Sequence, residues 1–335
     1  MIRESLHKLI ERKDLSRQEA YETMSEIMSG NASESLIASF LTALRLKGET
    51  VAEIAGCAQA MREKAVKIVS KRGNVIDTCG TGGDSLGTFN ISTAAAIVAS
   101  AAGAVVAKHG NRAISSRCGS ADVLKALGVN IEVSKEKVEQ CLDEIGIAFL
   151  FAPMMHGAMK FASPVRRELG IRTVFNILGP LTNPAGARRQ LIGVFDSRLT
   201  EPIAQVLLEL GSEQAMVVHG EGGLDELSTF GKTFISELKD GKVTSYEFHH
   251  STVGVPPSAL SDVVGGDAEF NAGIIRDIVG GKKNHQRNIT VLNAGAALFV
   301  SGLARSVHDG IKLAEDAIDS QEARKKLQAL IEMTN

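Results

Sequence analysis

Two periodicities divide the chain near residue 70. Before it, apolar residues recur at helical spacing, as in LIASFLTALRL, and two runs open with capping-box pairs, Ser16 with Glu19 and Thr50 with Glu53. Residues 1–68 are therefore expected to form a small helical bundle. After it, short apolar runs alternate with helical ones: NVIDTCG, ISTAAAIVASAAG, AVVAKHG, SADVLKALG, a short strand NIEV, KEKVEQCLDEIG and IAFLFA, then QLIGVF, IAQVLLELG and AMVVHG. Repeated strand–helix units imply a mainly parallel sheet with helices on its faces. TFISELKDGKVTSYEF reads as a hairpin turning at Lys239-Asp240-Gly241, and helices return from about Asn271. The segment MMHGAMKFASPVRRELG is helical between sheet-forming stretches, so it is expected to dock on the bundle. The expected fold class is α/β: a small, discontinuous N-terminal α-helical domain (1–68, joined by 154–185) and a large α/β domain (70–335) with a mainly parallel central sheet.

Composition narrows the function without naming it. With 335 residues, 44% of them hydrophobic, there is ample material for two cores. A net charge of −2 gives no electrostatic reason to expect a nucleic-acid or anionic-membrane partner. Cys57, Cys79, Cys118 and Cys141 are scattered without a CxxC pair, which favours reduced thiols over a zinc site or a disulfide framework. No run approaches eighteen apolar residues, and the N-terminus is charged and amphipathic. A cytoplasmic protein is expected.

The chemistry concentrates at strand ends. DTCGTGGDSLGTFNIST, residues 77–93, leaves a strand and enters a helix, where glycines allow close backbone approach and the helix start offers N–H groups and positive dipole to an anion. It has P-loop glycine spacing from Gly82 to Gly87, yet Thr88 stands where the lysine belongs. Asn90 and Ser92 are either anion donors or helix caps. KHGNRAISSRCGSADVLKALG, residues 108–128, follows a second strand with cations and hydroxyls dense enough for a pyrophosphate. Asp225 and Glu226 in GLDELS are either oxygen ligands for a hard cation or an acid pair at a helix N-terminus. Arg166 and Arg167 cannot be told apart by periodicity.

GTGGD at 80–84, NIST at 90–93, KHGNR at 108–112, GSADVL at 119–124, VRRELGIRTVFNILGPLTNP at 165–184 and GLDELS together resemble the anthranilate phosphoribosyltransferase family, almost end to end. The resemblance implies transfer of the phosphoribosyl group of phosphoribosyl pyrophosphate (PRPP) to the amine of anthranilate in tryptophan biosynthesis, by a homodimer joined through its α-helical domain. It implies Lys108, Asn111 and Arg166 as catalytic residues. PRPP would lie against Gly80, Gly83, Asp84, Thr88, Asn90, Ile91, Ser92, Thr93, Lys108, His109, Gly110, Asn111, Arg112, Ala113, Ile114, Ser115, Ser116 and Ser120. Anthranilate would meet Gly80, Asn111, His156 and Arg166, and Mg²⁺ would fall to Ser92, Asp225 and Glu226. The chain departs from the family pattern at Gly157, where proline is common, at Phe161, where histidine is common, and at Cys118, where serine is frequent; these positions bear on acceptor fit and leave the charged phosphate and metal residues intact.

The implied reaction needs stabilisation of a departing pyrophosphate more than it needs a base, because the aromatic amine is already neutral at pH 7. A pyrimidine nucleoside phosphorylase has a similar architecture but fits KHGNR and RRELG less well. A non-catalytic nucleic-acid-binding relative would call for a basic surface.

Overall fold

A computed structural model describes residues 1–83, 86–113 and 117–335. Four helices open the chain: α1 (Ile2–Ile10), α2 (Arg17–Met28), α3 (Glu34–Lys47) and α4 (Val51–Lys64). Both capping boxes close reciprocally, hydroxyl to N3 amide and N3 carboxylate to N-cap amide. Glu53 does more than cap. Wholly buried, its carboxylate also accepts from the Leu15 amide and from the Lys47 ammonium, each at 2.9 Å, so one acid ties the α1–α2 link to the α3–α4 link. Met24, Ile27, Phe40, Leu41 and Ile54 fill the bundle interior. Truncating a ring such as Phe40 to alanine would cost about 3–5 kcal/mol.

The α/β part runs β1 (Val75–Gly80), α5 (Ile91–Ala101), β2 (Val105–Gly110), α6 (Ser120–Ala126), α7 (Lys135–Ile145) and β3 (Ile147–Phe151). Short helices follow: α8 (Ala152–Met155), a 3₁₀ turn (Gly157–Phe161), α9 (Ser163–Leu169) and α10 (Phe175–Leu178). The chain then returns to the sheet with β4 (Arg189–Gly193), α11 (Thr200–Glu209), β5 (Gln214–Gly220), β6 (Lys232–Lys239) and β7 (Lys242–His249). It ends in α12 (Ala268–Val279), α13 (His285–Ser301), α14 (Val307–Asp319) and α15 (Glu322–Thr334).

The seven strands lie in the order β3-β2-β1-β4-β5-β6-β7, the first five parallel and the last two an antiparallel hairpin. The order reverses between β1 and β4, where Gly80 stands beside Gly193, and such a switch point opens a crevice at the strands' carboxyl ends. Alternation assigns the two faces. Ile76, Val106, Leu191, Met216 and Val218 join the core shared with α5 and α13, whereas Ile192, Ala215 and Val217 join the one shared with α11 and the helical bundle. Every residue of α13 from Ile289 to Ser301 is buried, against α5, α14 and strands β1, β4 and β5.

The segment after β3 packs on the bundle: Ala162, Val165, Phe175 and Leu178 share one apolar cluster with Ile27 and Phe40. Phe161 lies so close to Gly30 that a Cβ there would come within 2.6 Å of its ring. Two sequence expectations need correcting. NIEV is not a strand: the Asn130 amide goes to the Thr334 hydroxyl and the Glu132 amide to the Asn130 side-chain oxygen, so the segment is an irregular link. The hairpin turn is two residues, because Lys239 still pairs with Lys242; Asp240 (φ 51°) and Gly241 (φ 72°) both take the positive φ that a type I′ turn requires.

Candidate active site

Strand alternation sends adjacent residues of β2 to opposite faces, Lys108 toward α5 and His109 toward α10. The two halves of the site follow from that.

On the α5 face, Lys108 is 3% exposed and donates to the Thr78 carbonyl and, at 3.2 Å, to Ser92 Oγ. Ser92 lies in the first turn of α5, and its amide donates to Glu226 Oε1 at 3.0 Å, an acid placed where unsatisfied N–H groups and the dipole favour it. Asp225 Oδ2 accepts from the Gly82 amide, also at 3.0 Å. The two acids sit in the loop between β5 and β6 and open no helix of their own; Glu226 reaches the start of α5 across the crevice, and Asp225 faces the Gly82 turn instead. Glycine is required at both neighbouring strand ends: a Cβ on Gly80 would run into the Asp225 carboxylate, and one on Gly193 into the Asp225 backbone.

The second loop is stitched to the first. Asn90 precedes α5 yet does not cap it; its amide nitrogen donates to the Cys118 carbonyl, while its Oδ1 accepts from Asn271 and from the Cys118 thiol. A thiol therefore still donates where serine is frequent, and burial pushes its pKa up to about 11. Ser120 Oγ donates to the Asn111 carbonyl, and Asp122 accepts from the amides of Ala113 and Gly119. Arg112 pairs with Glu132 at the surface, 2.9 Å away. Thr88 forms an isolated bridge with Val264. Ile91 and Thr93 turn their side chains into the core, so neither side chain reaches the crevice. Asp84, Ile114, Ser115 and Ser116 lie outside the described residues.

On the α10 face, a cavity of about 520 Å³ is lined by Gly80, His109, Asn111, His156, Arg166, Phe175 and Gly179 among others. His109 Nδ1 faces the Gly179 carbonyl at 3.2 Å, which can only accept, so Nδ1 carries the proton; Nε2 then accepts from His156 Nε2–H, also at 3.2 Å. Burial holds both rings neutral, lowering His109 to about 3 and His156 to about 4. They are a hydrogen-bonded wall and poor bases at neutral pH. Arg166 is half-buried, with its guanidinium 5.1 Å from the Phe175 ring and no acid partner among the described residues; burial lowers its pKa. Arg167 is exposed, which separates the two arginines.

Sequence reasoning missed what lies beneath. Asp77 is wholly buried and accepts from the His109 amide at 3.0 Å and from Asn183 Nδ2 at 2.7 Å; Asn183 also donates to the Ala107 carbonyl. Burial raises the Asp77 pKa, and the nearby Lys108 charge opposes that rise. The signal was an acid inside the apolar run NVIDTCG, which must find partners to be buried.

The chain matches the glycosyl transferase family helical bundle domain over residues 3–65 and the same family's α/β domain over residues 72–324. It is 52% identical over 335 residues to the anthranilate phosphoribosyltransferase of Acetivibrio thermocellus, covering all of this chain and 97% of that one. It is 53% identical over 332 residues to the Thermoanaerobacter enzyme of that name, covering 99% and 98%. Among solved structures, the Thermus thermophilus anthranilate phosphoribosyltransferase superposes with a TM-score of 0.94 at 42% identity, covering 98% and 99%. The Saccharomyces cerevisiae enzyme in complex with PRPP and Mg superposes at 0.91 with 29% identity, covering 99% and 97%. Shared architecture and half-identical sequence from end to end place this chain in the anthranilate phosphoribosyltransferase family.

Proposed function

We propose that this protein transfers the 5-phosphoribosyl group of PRPP to the amine of anthranilate, using Mg²⁺ and releasing pyrophosphate, in tryptophan biosynthesis. One observation carries the reading: a single cavity runs from Arg166, a half-buried cation with no acid partner among the described residues, to Gly80 and Asn111, where the two polar loops begin. An aromatic carboxylate at Arg166 would thus have its amine facing a donor held on the loops. A planar guanidinium suits the carboxylate, and Phe175 and the neutral His109–His156 pair suit the ring.

PRPP is assigned to the loop from Gly80 to Thr88, the α5 start at Asn90 to Thr93 through its backbone, the segment from Lys108 and the helix start at Ser120. Ser92, Asp225 and Glu226 fit Mg²⁺: they are hard oxygen donors, Asp225 already reaches the donor loop and Glu226 the α5 start, and a small ligand set leaves room for waters and substrate phosphates. When bound, the ion neutralises charge on the leaving pyrophosphate. Lys108, fixed by Thr78 and Ser92, adds a preorganised positive charge on the same side. Arg166 and Asn111 orient the acceptor so that its nitrogen attacks the anomeric carbon opposite the leaving group, inverting that carbon. The C–O bond to pyrophosphate breaks as the C–N bond forms, and the alkylated nitrogen then sheds its proton. Because the histidines stay neutral at pH 7, that proton passes to the product pyrophosphate or water.

The homodimer through the α-helical domain is supported by Ile10 and Leu46, 67% and 77% exposed on that domain. A cytoplasmic setting is supported by four free cysteines, all buried; among the described residues no helix is long and apolar enough to cross a membrane. Purified protein with PRPP, Mg²⁺ and anthranilate tests the reaction by loss of anthranilate fluorescence with matching pyrophosphate release. Phosphate-dependent cleavage of a pyrimidine nucleoside, without anthranilate turnover, would instead make it a phosphorylase.

A further inference from the structure

The donor loop leaves β1 and pairs again only at its far end, where Thr88 bridges Val264, so its described near half rests on single contacts. Gly82 (φ 66°) and Gly83 (φ 78°) turn it through the left-handed region, where backbone freedom is greatest. Its stem is fixed by Thr81, whose amide donates to the Gly193 carbonyl at 2.8 Å and whose hydroxyl accepts from the Phe195 amide at 3.2 Å. Gly82 is held from one side by Asp225. From the other comes Arg172, in the link between α9 and α10: its guanidinium donates to the Gly83 carbonyl at 2.6 Å and lies 4.1 Å from the Phe195 ring. Arg172 is exposed and forms no ion pair among the described residues, while Phe195 is footed on the bundle-side core. A flat guanidinium stacked on an anchored ring is pre-aimed in a way a lysine would not be.

We propose that Arg172 is a positioning residue for phosphoribosyl transfer: braced on Phe195, it clamps the Gly83 carbonyl and so sets the Gly82–Gly83 turn in the conformation that receives the donor. The loop is then held between an acid from the β5–β6 connection and a cation from the acceptor side of the crevice. The arm that carries Arg172 also carries Arg166 and Phe175, so the acceptor pocket and the donor loop share one support. This rests on the reaction proposed above.

The test uses the full-length protein and Arg172→Ala, an exposed substitution that leaves no buried group unpaired. In the substrate-free protein, amide exchange at Gly82 should speed up severalfold, because the turn loses one of its two clamps. In the fluorescence assay the KM for PRPP should rise about three- to tenfold, the scale of one partly exposed hydrogen bond from a charged donor. The KM for anthranilate and the melting temperature should not change. Unaltered Gly82 exchange overturns the proposal, even with a raised PRPP KM, since that pairing would mean direct contact between Arg172 and the donor phosphates. A defect confined to anthranilate overturns it as well. If the unsubstituted protein fails to consume anthranilate, the reaction assignment falls, and the exchange comparison still decides the clamp.

Discussion

Removing the guanidinium of Arg166 should cripple acceptor binding while leaving the fold intact. Its side chain is half-buried, has no acid partner among the described residues and has its pKa lowered by burial. The free protein therefore carries a partly desolvated cation on the cavity wall, which a ligand anion would pair. A charge-assisted hydrogen bond to a carboxylate is worth about 1.5–3 kcal/mol, and each 1.4 kcal/mol is about tenfold, so Arg166→Ala should raise the KM for anthranilate about ten- to a hundredfold. Stability should barely move: the lost stacking on Phe175, worth about 0.5–1 kcal/mol, is offset by relief of the buried charge. Arg167→Ala is the matched control, because an exposed cation contributes only about 0–1 kcal/mol. The assay follows anthranilate fluorescence at saturating PRPP, then repeats the titration with PRPP varied. Equal losses in the two variants, or a loss in Arg166→Ala confined to PRPP, would put the carboxylate in a different pocket.

Replacing Asp225 with Asn and Glu226 with Gln together keeps size and removes charge; turnover should be lost or the Mg²⁺ requirement strongly raised, with circular dichroism unchanged, and an unaltered Mg²⁺ titration would refute the metal assignment. Gly80→Ala should abolish most turnover with little change in melting temperature, because its Cβ displaces a side chain, whereas Gly193→Ala should destabilise the protein, because its Cβ meets backbone. The buried histidines, lowered to about 3 and about 4 against an ordinary value near 6.5, make the unfolded chain the better proton binder below pH 6.5, so stability falls as pH drops through that value and the loss saturates near pH 3. At pH 5 the effect is about 2 kcal/mol per ring, and His156→Gln should shrink the difference between urea midpoints at pH 7 and pH 5.

Local signals in the sequence translated directly into structure. The Ser16 and Thr50 capping boxes and the strand–helix alternation each depend on a few adjacent residues, and each is where the pattern puts it; the hairpin is there too, but its turn is one residue tighter than Lys239-Asp240-Gly241 because Lys239 stays in the ladder. NIEV misled because four apolar-alternating residues carry no information about whether a strand partner is available; here Thr334 and the Asn130 side chain take two of its amides. The crevice residues were legible as a set but not in their roles. Asp225 and Glu226 look the same in sequence whether they cap a helix or face a loop, and Arg166 differs from Arg167 only in which neighbours cover it. The His109–His156 bond and the reach of Arg172 to Gly83 join residues 47 and 89 positions apart, and no periodicity encodes such pairings.

The burial of α13 sets a schedule for synthesis. The parallel strands are complete once Gly220 has been made, yet Ile76, Leu191, Met216 and Val218 face a core that α13 completes only when Ser301 has been added. At about 5–20 residues per second, the roughly eighty residues between them take about 4–16 s, during which a half-covered apolar sheet is present on the ribosome. The nascent chain is thus most exposed to aggregation and to chaperone capture late in translation. Ribosomes stalled shortly before codon 285 should hold a chain that binds trigger-type holdases, and ribosomes stalled well beyond codon 335 on a linker should release that grip.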